Sequence, residues 1–414
     1  MATETPDARA AEAPAAATFA AWLEQFANAL GAADPGEVTG LLAVDCWWRD
    51  LLALTWDLGT YRGQDAVAAM LEKHLQPGAV RDVAMVTEFG PRAQGNVVEG
   101  FITFETPLGE GRGAVRLVQE GGRWVAWTVM TELDDLRGHE RAIGKHRSRG
   151  PRHGPVGGSG RNWLDERRDQ QAYTDTEPDV VVLGAGQGGL TVAANLRLMG
   201  VDTLILEKSE RVGDGWRKRY HSLVLHDPVW ADDLPYMPYP ASWPVYCPKD
   251  KIADWFESYA SAMELNVWTS AEMTDSSFDE ATGRWTLTVS TPEGERVLHP
   301  KDVVLATGAA GEPNVPDVPG RDTFRGTSYH SSRHASASSW AGKRAVVVGA
   351  CNSGHDIAQD LFEAGADVTL VQRSSTHIIS QEHGIPAIFG GNFVEGGPPT
   401  AYADLLASGT PWPL

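Results

Sequence analysis

Two stretches of the chain carry the same glycine pattern in the same register. The stretch "VVLGAGQGGLTVAANLRLMGVDTLILEKS" begins at Val181, the stretch "VVVGACNSGHDIAQDLFEAGADVTLVQRS" begins at Val346, and the two align without a gap. Each reads as a short apolar run, a glycine-rich turn, a segment of helical periodicity and a second apolar run. This order predicts a strand, a turn, a helix and a parallel strand. The chain is therefore expected to contain two α/β units of the Rossmann-like type.

The first copy satisfies the complete dinucleotide fingerprint. Gly184 allows a tight turn, Gly186 lets the backbone approach a pyrophosphate, and Gly189 allows the helix to pack closely on the strand. Backbone amides at the helix N-terminus face the anion. Glu207 ends the second strand, where its carboxylate can accept both ribose hydroxyls of an adenosine without a 2′-phosphate, and Lys208 follows it. The first copy therefore predicts a dinucleotide site.

The second copy differs at the positions that select the cofactor. Cys351 replaces Gly186, and Gln372 followed by Arg373 replaces the Glu207-Lys208 pair. A carboxylate repels the 2′-phosphate of NADP, whereas a guanidinium pairs with it. We interpret this copy as an NADPH site, with a turn that only supports helix packing as the alternative. The residues expected to contact the cofactor are Gly349, Cys351, Asn352, Ser353, Gly354, Arg373 and Ser374.

The segments around these copies resemble the flavin-containing monooxygenases, including their YUCCA-type and Baeyer-Villiger relatives, over roughly residues 179 to 412. Three further motifs carry the resemblance: the turn Gly213-Asp214-Gly215-Trp216, the run Ala306-Thr307-Gly308, and "FRGTSYHSSRH" with Phe324, Gly326 and His330. His334 stands where that last motif usually has an aromatic residue. This departure leaves the subgroup, N-oxide-forming or Baeyer-Villiger, open.

The resemblance implies an FAD- and NADPH-dependent monooxygenase. Such an enzyme inserts one oxygen atom of O₂ into a small organic substrate through a flavin C4a-(hydro)peroxide, by N/S-oxygenation or Baeyer-Villiger chemistry. It also implies that FAD lies in the first site, near Gly215, Trp216, Thr307 and Gly308. His226, Asp227 and His330 are the candidate catalytic residues. For His226 and Asp227 the alternative is a polar loop that satisfies its own backbone, and for His330 it is a histidine packed beside the junction of the two domains. The alternatives are an uncoupled NADPH oxidase and an inert chain in which only the N-terminal domain binds a ligand or self-associates.

The N-terminal third predicts a small α+β domain. Phe19, Trp22, Phe26 and Leu30 recur at helical spacing, and several alternating apolar runs follow. The stretch "DCWWRDLLALTWDLGTYRG" resembles the NTF2-like (SnoaL-like) domains, which enclose an apolar pocket. Its tryptophans, Trp47, Trp48 and Trp56, are interpreted as core residues. A homodimer through this domain is one expected partnership.

These patterns predict five segments. They are a disordered leader (1–17), the NTF2-like domain (18–135), a Gly/Arg/Pro-rich linker (136–178), the FAD-binding domain (179–325) and a partial NADPH-binding domain (326–414). Because the chain ends soon after "DVTLVQRS", we expect it to be a C-terminally truncated form of a longer flavoprotein.

Composition narrows the remaining function classes. A formal net charge of -20 argues against nucleic acid as a partner. No apolar run reaches the roughly 18 residues of a membrane span. Three dispersed cysteines and a lone His330/His334 pair argue against a disulfide framework and a metal site. We therefore expect a cytoplasmic protein that acts on a small molecule and holds no metal.

Overall fold

The computed structural model describes residues 6–150, 160–308, 311 and 313–411, and the side chains from residue 14 onward. These residues form two compact units: Met1–Glu140 together with Glu382–Leu414, and Arg141–Gln381. Within the described residues, no helix is long and apolar enough to cross a membrane.

The first unit packs helices against a seven-stranded sheet. The strand order is β2-β1-β7-β6-β5-β3, and β4 pairs with β5. Its elements are α1 (Pro6–Ala32), α2 (Pro35–Gly40), β1 (Leu42–Leu51), β2 (Leu58–Arg62), α3 (Gln64–His74), β3 (Arg81–Met85), β4 (Arg92–Gln94), β5 (Val97–Glu105), β6 (Gly109–Glu120) and β7 (Arg123–Leu136).

The predicted face of α1 is buried. Phe19, Trp22, Phe26 and Leu30 all lie in the core, and the Trp22 and Phe26 rings stack at 4.6 Å between centroids. Helix α1 already begins at Pro6, inside the leader that we expected to be disordered, because that segment is rich in alanine, the best helix former.

The three tryptophans of the β1–β2 region do not share one environment. Trp48 is fully buried and its indole N–H donates to the Thr131 hydroxyl at 2.9 Å. Trp47 is half-buried beneath the Arg62 guanidinium. Trp56 is 56% exposed at φ +53°. The expectation that Trp56 is a core residue is wrong, because it lies in the connection between β1 and β2 rather than on a strand facing α1.

The second unit begins with a helix inside the predicted linker. Helix α4 (Trp163–Ala172) has a capping box in which Asn162 and Asp165 bond each other's backbone amides. Arg167 is buried and donates to the Glu264 carbonyl at 2.6 Å. Tertiary contacts thus order part of a segment whose sequence has little apolar periodicity. Residues 151–159 of that linker lie outside the described residues.

Both sequence copies form the predicted strand, turn, helix and strand. The first copy gives β8 (Val180–Leu183), α5 (Gln187–Leu198) and β9 (Thr203–Glu207). After α6 (Asp214–Arg217) and α7 (Lys249–Ala262), β10 (Asn266–Thr269) pairs with β9. An antiparallel sheet follows, made of β11 (Glu272–Asp279), β12 (Arg284–Thr291) and β13 (Gly294–Leu298). Strand β14 (Asp302–Leu305) completes a parallel sheet of order β10-β9-β8-β14.

The second copy gives β15 (Arg344–Val348), α8 (Asn352–Glu363) and β16 (Asp367–Val371). Its strands form a two-stranded parallel sheet among the described residues. The mixed α/β class with two Rossmann-like units is confirmed.

The last two helices pack with the first unit. They are α9 (Gly384–Ile388) and α10 (Thr400–Ser408). Leu405 and Leu406 of α10 are buried with Phe101, Ala114 and Met130. This placement differs from the predicted 326–414 domain, because α10 buries its apolar side chains against β6 and β7. The NTF2-like assignment and the other boundaries stay predictions.

Candidate functional site

The first glycine turn has the geometry that the fingerprint requires. Gly184 has φ +105°, and a Cβ there would lie 2.6 Å from the Ala306 carbonyl oxygen. A Cβ on Gly189 would lie 1.9 Å from the Gly184 oxygen. By contrast, no described heavy atom lies within 4 Å of a Cβ built on Gly186 or Gly188. The turn is therefore closed toward the sheet and open where α5 begins.

Glu207 lies beside this turn at the carboxyl end of the parallel sheet. One carboxylate oxygen accepts the Ala185 amide at 2.9 Å, and the other accepts the Ser209 amide at 2.8 Å. These bonds hold the carboxylate next to the open end of α5. Lys208, which was predicted at the same site, is exposed.

Two further predicted motifs lie in the second unit. Thr307 and Gly308 are exposed directly after β14, and the Thr307 Cα lies 3.8 Å from a Cβ built on Gly184. In α6, no described heavy atom lies within 4 Å of a Cβ built on Gly215, and the neighbouring Trp216 is half-buried. Thr307 and the first fingerprint therefore meet where open α/β sheets bind ligands.

The α6 turn is held by ion pairs. Gly213 at φ +88° lets the chain approach α7, where a Cβ would lie 2.3 Å from the Ala253 oxygen. Asp214 is buried and pairs with Arg217 at 2.8 Å and Lys218 at 3.0 Å. Burial opposes ionisation of Asp214, but the hydrogen bonds from Lys218 and Arg217 hold the pKa of this carboxyl below its ordinary value. The ion pairs of Asp214 and the close approach of Gly213 to α7 thus hold the turn that carries Gly215 and Trp216.

The second turn repeats the backbone of the first. Gly349 has φ +111°, and a Cβ on Gly354 would lie 2.2 Å from the Gly349 oxygen. Cys351, exposed at the N-cap of α8, has φ −91° and ψ −177°, close to the −80° and −176° of Gly186. The cysteine therefore occupies the second glycine's place without changing the turn.

The remaining residues predicted to bind NADPH surround this turn. Asn352 and Ser353 form the first turn of α8, and Arg373 and Ser374 are exposed after β16. Arg373 thus holds the place in the second copy that Lys208 holds in the first.

His226 and His330, two of the three candidate catalytic residues, have separate partners. His226 is half-exposed, and its Nε2 lies 3.1 Å from Asp356 Oδ1. His330 caps the short 3₁₀ turn Ser331–Arg333 and accepts the Ser332 amide at Nδ1. Asp227 is exposed. Within the described residues, no group of three or more His, Cys, Asp or Glu side chains could hold a metal ion.

Sequence reasoning missed the polar partners of these segments. His334 is buried, with Nε2 2.9 Å from Asp360 and Nδ1 3.1 Å from the Tyr329 hydroxyl. A histidine thus replaces the usual aromatic ring and adds a bond to α8. The spacing of Asp356 and Asp360, one helical turn apart, was the available signal.

Asp232 is a second missed residue. Its Oδ2 is buried without a hydrogen-bond partner among the described residues. Burial, followed by repulsion from Asp227 and Asp233, raises its pKa to about 7. This carboxyl therefore exchanges a proton near neutral pH, within the electrostatic reach of a candidate catalytic residue.

Asp232→Asn is expected to stabilise the unliganded chain more at pH 8 than at pH 5. Because the folded-state pKa is raised, the wild type loses stability as the pH rises from about 4 to about 7. The neutral amide removes that loss. Thermal unfolding at both pH values checks this, with Asp279→Asn as an exposed control whose pKa is lowered by bonds from Thr282 and the Ala281 amide. If the unfolding temperatures of the wild type and the Asp232→Asn variant differ by the same amount at both pH values, the assignment is contradicted.

Comparison with known proteins identifies the class of the second unit. A family model described as pyridine nucleotide-disulphide oxidoreductase matches residues 181–384. The chain is 36% identical over 220 residues to indole-3-pyruvate monooxygenase YUCCA1 of Oryza sativa subsp. japonica, covering 53% of each chain. This part of the chain is similar to flavin monooxygenases.

Two more comparisons show the extent of this similarity. Indole-3-pyruvate monooxygenase YUCCA6 of Arabidopsis thaliana is 34% identical over 205 residues, or 49% of each chain. A solved flavin-containing monooxygenase from Stenotrophomonas maltophilia is 27% identical, with a TM-score of 0.47 over 56% of this chain and 68% of that one. The flavin-monooxygenase-like chain spans about half the length of the curated relatives it matches.

Proposed function

We propose that this chain is an FAD- and NADPH-dependent monooxygenase that transfers one oxygen atom of O₂ to a small organic substrate. The observation that carries the proposal is the pair of glycine turns with matching backbone geometry, inside a region that matches flavin monooxygenases. The YUCCA relatives are named as indole-3-pyruvate monooxygenases, which favours N/S-oxygenation or Baeyer-Villiger chemistry on a small carbonyl or soft nucleophile.

The first site fits FAD. Gly186 and Gly188 leave space beside the N-terminus of α5 for a pyrophosphate. Glu207 uses one bond at each oxygen for backbone amides, so lone pairs remain for the two ribose hydroxyls. Gly215, Trp216, Thr307 and Gly308 would lie along the rest of the cofactor.

The second site fits NADPH. Cys351, Asn352 and Ser353 surround the first turn of α8, where a pyrophosphate would bind, between Gly349 and Gly354. Arg373 and Ser374 follow β16, where the 2′-phosphate would lie. The uncharged Gln372 before them does not repel that phosphate.

FAD would supply the reaction with O₂ that amino-acid side chains do not provide, and NADPH would supply the electrons. The chain's own residues bind and orient the two dinucleotides and limit water near them. His226, Asp227 and His330 are proposed to hold or move a proton near the reacting centre, and Asp232 adds a carboxyl that titrates near neutral pH.

An absorption spectrum after incubation with FAD and desalting tests the proposal. We expect a retained flavin band that NADPH bleaches without oxygen, and oxygenated product in step with NADPH consumption once air is admitted. A colourless chain would contradict cofactor binding. Peroxide released in proportion to NADPH consumed would instead support the uncoupled NADPH oxidase.

We also propose that the protein acts in the cytoplasm and self-associates through the first unit. Cys46, Cys247 and Cys351 are unbridged thiols, which fits a reducing compartment. Cell fractionation and size-exclusion chromatography test the two statements. Recovery outside the cytoplasmic fraction, or a monomeric elution volume, would contradict them.

Arg373→Ala is expected to weaken NADPH binding by about 10- to 150-fold and NADH binding little. It removes a charge-assisted bond of about 1.5 to 3 kcal/mol to the 2′-phosphate. KM for each coenzyme checks this. Arg344→Ala is the matched control, because Arg344 is exposed at the opposite end of the same two-stranded sheet. Equal losses for both coenzymes in the Arg373 variant would show that this residue has a structural role.

A further inference from the structure

Helix α8 presents two carboxylates one turn apart, and each joins a histidine from another segment. Asp356 accepts the Tyr220 hydroxyl at 2.5 Å and lies 3.1 Å from His226 Nε2. Asp360 lies 2.9 Å from His334 Nε2 and accepts the Ala337 amide at 3.0 Å. Asp360 therefore ties α8 to the segment that precedes β15, whereas Asp356 reaches the segment that follows the first fingerprint.

Tyr220 is the centre of the Asp356 contacts. It is buried and packs with Ile357 and Leu361 of α8. Burial and the bond to Asp356 raise the pKa of its hydroxyl, so the group stays protonated and donates. Ser353 is close enough to oppose this rise slightly. The Tyr220 hydroxyl is thus bonded to Asp356 and lies near Ser353, three residues earlier in α8.

The segments joined by these bonds carry parts of the two nucleotide sites. Tyr220 follows α6, which holds Gly215 and Trp216, and His226 lies six residues further along the same segment. Ser353 is in the turn proposed to hold the second pyrophosphate. A phosphate at Ser353 would therefore lie in the same turn of α8 as Asp356, which accepts the Tyr220 hydroxyl.

We propose that Asp356 is a positioning residue that clamps the segment Lys218–His226 onto the start of α8 and so couples the two nucleotide sites. The coupling half of this statement rests on the proposed function; the clamp itself rests on the contacts alone. Because binding free energies are linked, NADP⁺ then changes FAD affinity by the same factor as FAD changes NADP⁺ affinity.

The test compares Asp356→Asn with Glu363→Gln. Glu363 is exposed on the same helix and bonds Gln359, so its replacement removes the same charge without touching Tyr220. FAD dissociation constants are measured by flavin fluorescence with and without saturating NADP⁺. In the wild type and in Glu363→Gln, we expect the FAD dissociation constants with and without NADP⁺ to differ by about 5-fold or more. In Asp356→Asn, we expect the ratio of the two constants to be near one. Asp356→Glu is expected to restore most of the ratio.

A ratio near one in the wild type, or an unchanged ratio in Asp356→Asn, would overturn the coupling. The proposed function would still be supported in either case, because both FAD and NADP⁺ bind. Should the wild type bind neither nucleotide, the proposed function and the coupling are overturned together. Hydrogen–deuterium exchange on the unliganded chain then tests whether Asp356 holds residues 218–226 against α8. We expect the amides of residues 218–226 to exchange faster than in the wild type for Asp356→Asn but not for Glu363→Gln. Equal exchange in the two variants would overturn the clamp.

Discussion

Gly186→Val is expected to give a folded chain that does not retain FAD. No described heavy atom lies within 4 Å of a Cβ at Gly186, and its φ of −80° and ψ of −176° suit a β-branched residue. The backbone and the space around the Cβ therefore accept a larger residue among the described parts of the chain. The valine side chain does occupy the space where a pyrophosphate would approach the amides of α5. We expect FAD affinity to fall at least about 100-fold, or about 2.8 kcal/mol.

Flavin content after desalting and the unfolding temperature together check this expectation. Gly186→Cys, which introduces the residue of the second copy, is expected to lose less affinity because Cys351 occupies the same backbone conformation. Normal flavin content in the valine variant would refute the assignment of the first turn to the pyrophosphate. An unfolding temperature far below the wild type would show that the loss came from the fold.

Gly189→Ala is expected to destabilise the second unit before any cofactor binds. Its Cβ would lie 1.9 Å from the Gly184 oxygen and 3.3 Å from a methyl group of Val182. Helix α5 then has to move away from β8. Overpacking of this kind costs about 3 kcal/mol, which lowers the Tm of a domain of this size by about 6–12 °C.

Gly188→Ala provides the matched control for that variant. It adds the same methyl group one residue earlier in the same helix, where no described atom lies within 4 Å. Since alanine is the better helix former, the stability of the control is expected to change by less than about 1 kcal/mol, in the stabilising direction. Calorimetry of the two unliganded variants distinguishes close packing from a general intolerance of the turn. Equal Tm values would contradict the packing role of Gly189.

The sequence predicted the first candidate site closely because its signals are local. Gly184, Gly186 and Gly189 lie in one turn, and Glu207 follows at the end of the adjacent strand. Backbone sterics and apolar periodicity act over a few residues, so a short stretch specifies both the turn and its flanking elements. The same reasoning placed Cys351 at the matching position of the second turn.

The contacts of α8 could not be predicted in this way. Tyr220 and Asp356 are separated by 136 positions, and His334 and Asp360 by 26. Nothing in either local pattern shows which segments meet. The exposure of Trp56 was missed for a related reason, since composition does not show whether a residue faces α1 or lies in a connection between strands.

By itself the sequence determined that the chain contains two strand-turn-helix-strand units, that both turns need glycine at their closest approaches, and that the two copies differ in the charge after the second strand. Those properties follow from short-range sterics and charge. Only the tertiary structure decided that Asp356 joins Tyr220 and His226, that Asp232 is buried beside other carboxylates, and that α10 packs with the first unit. Burial and long-range pairing depend on which surfaces the folded chain brings together, and local patterns do not encode that choice.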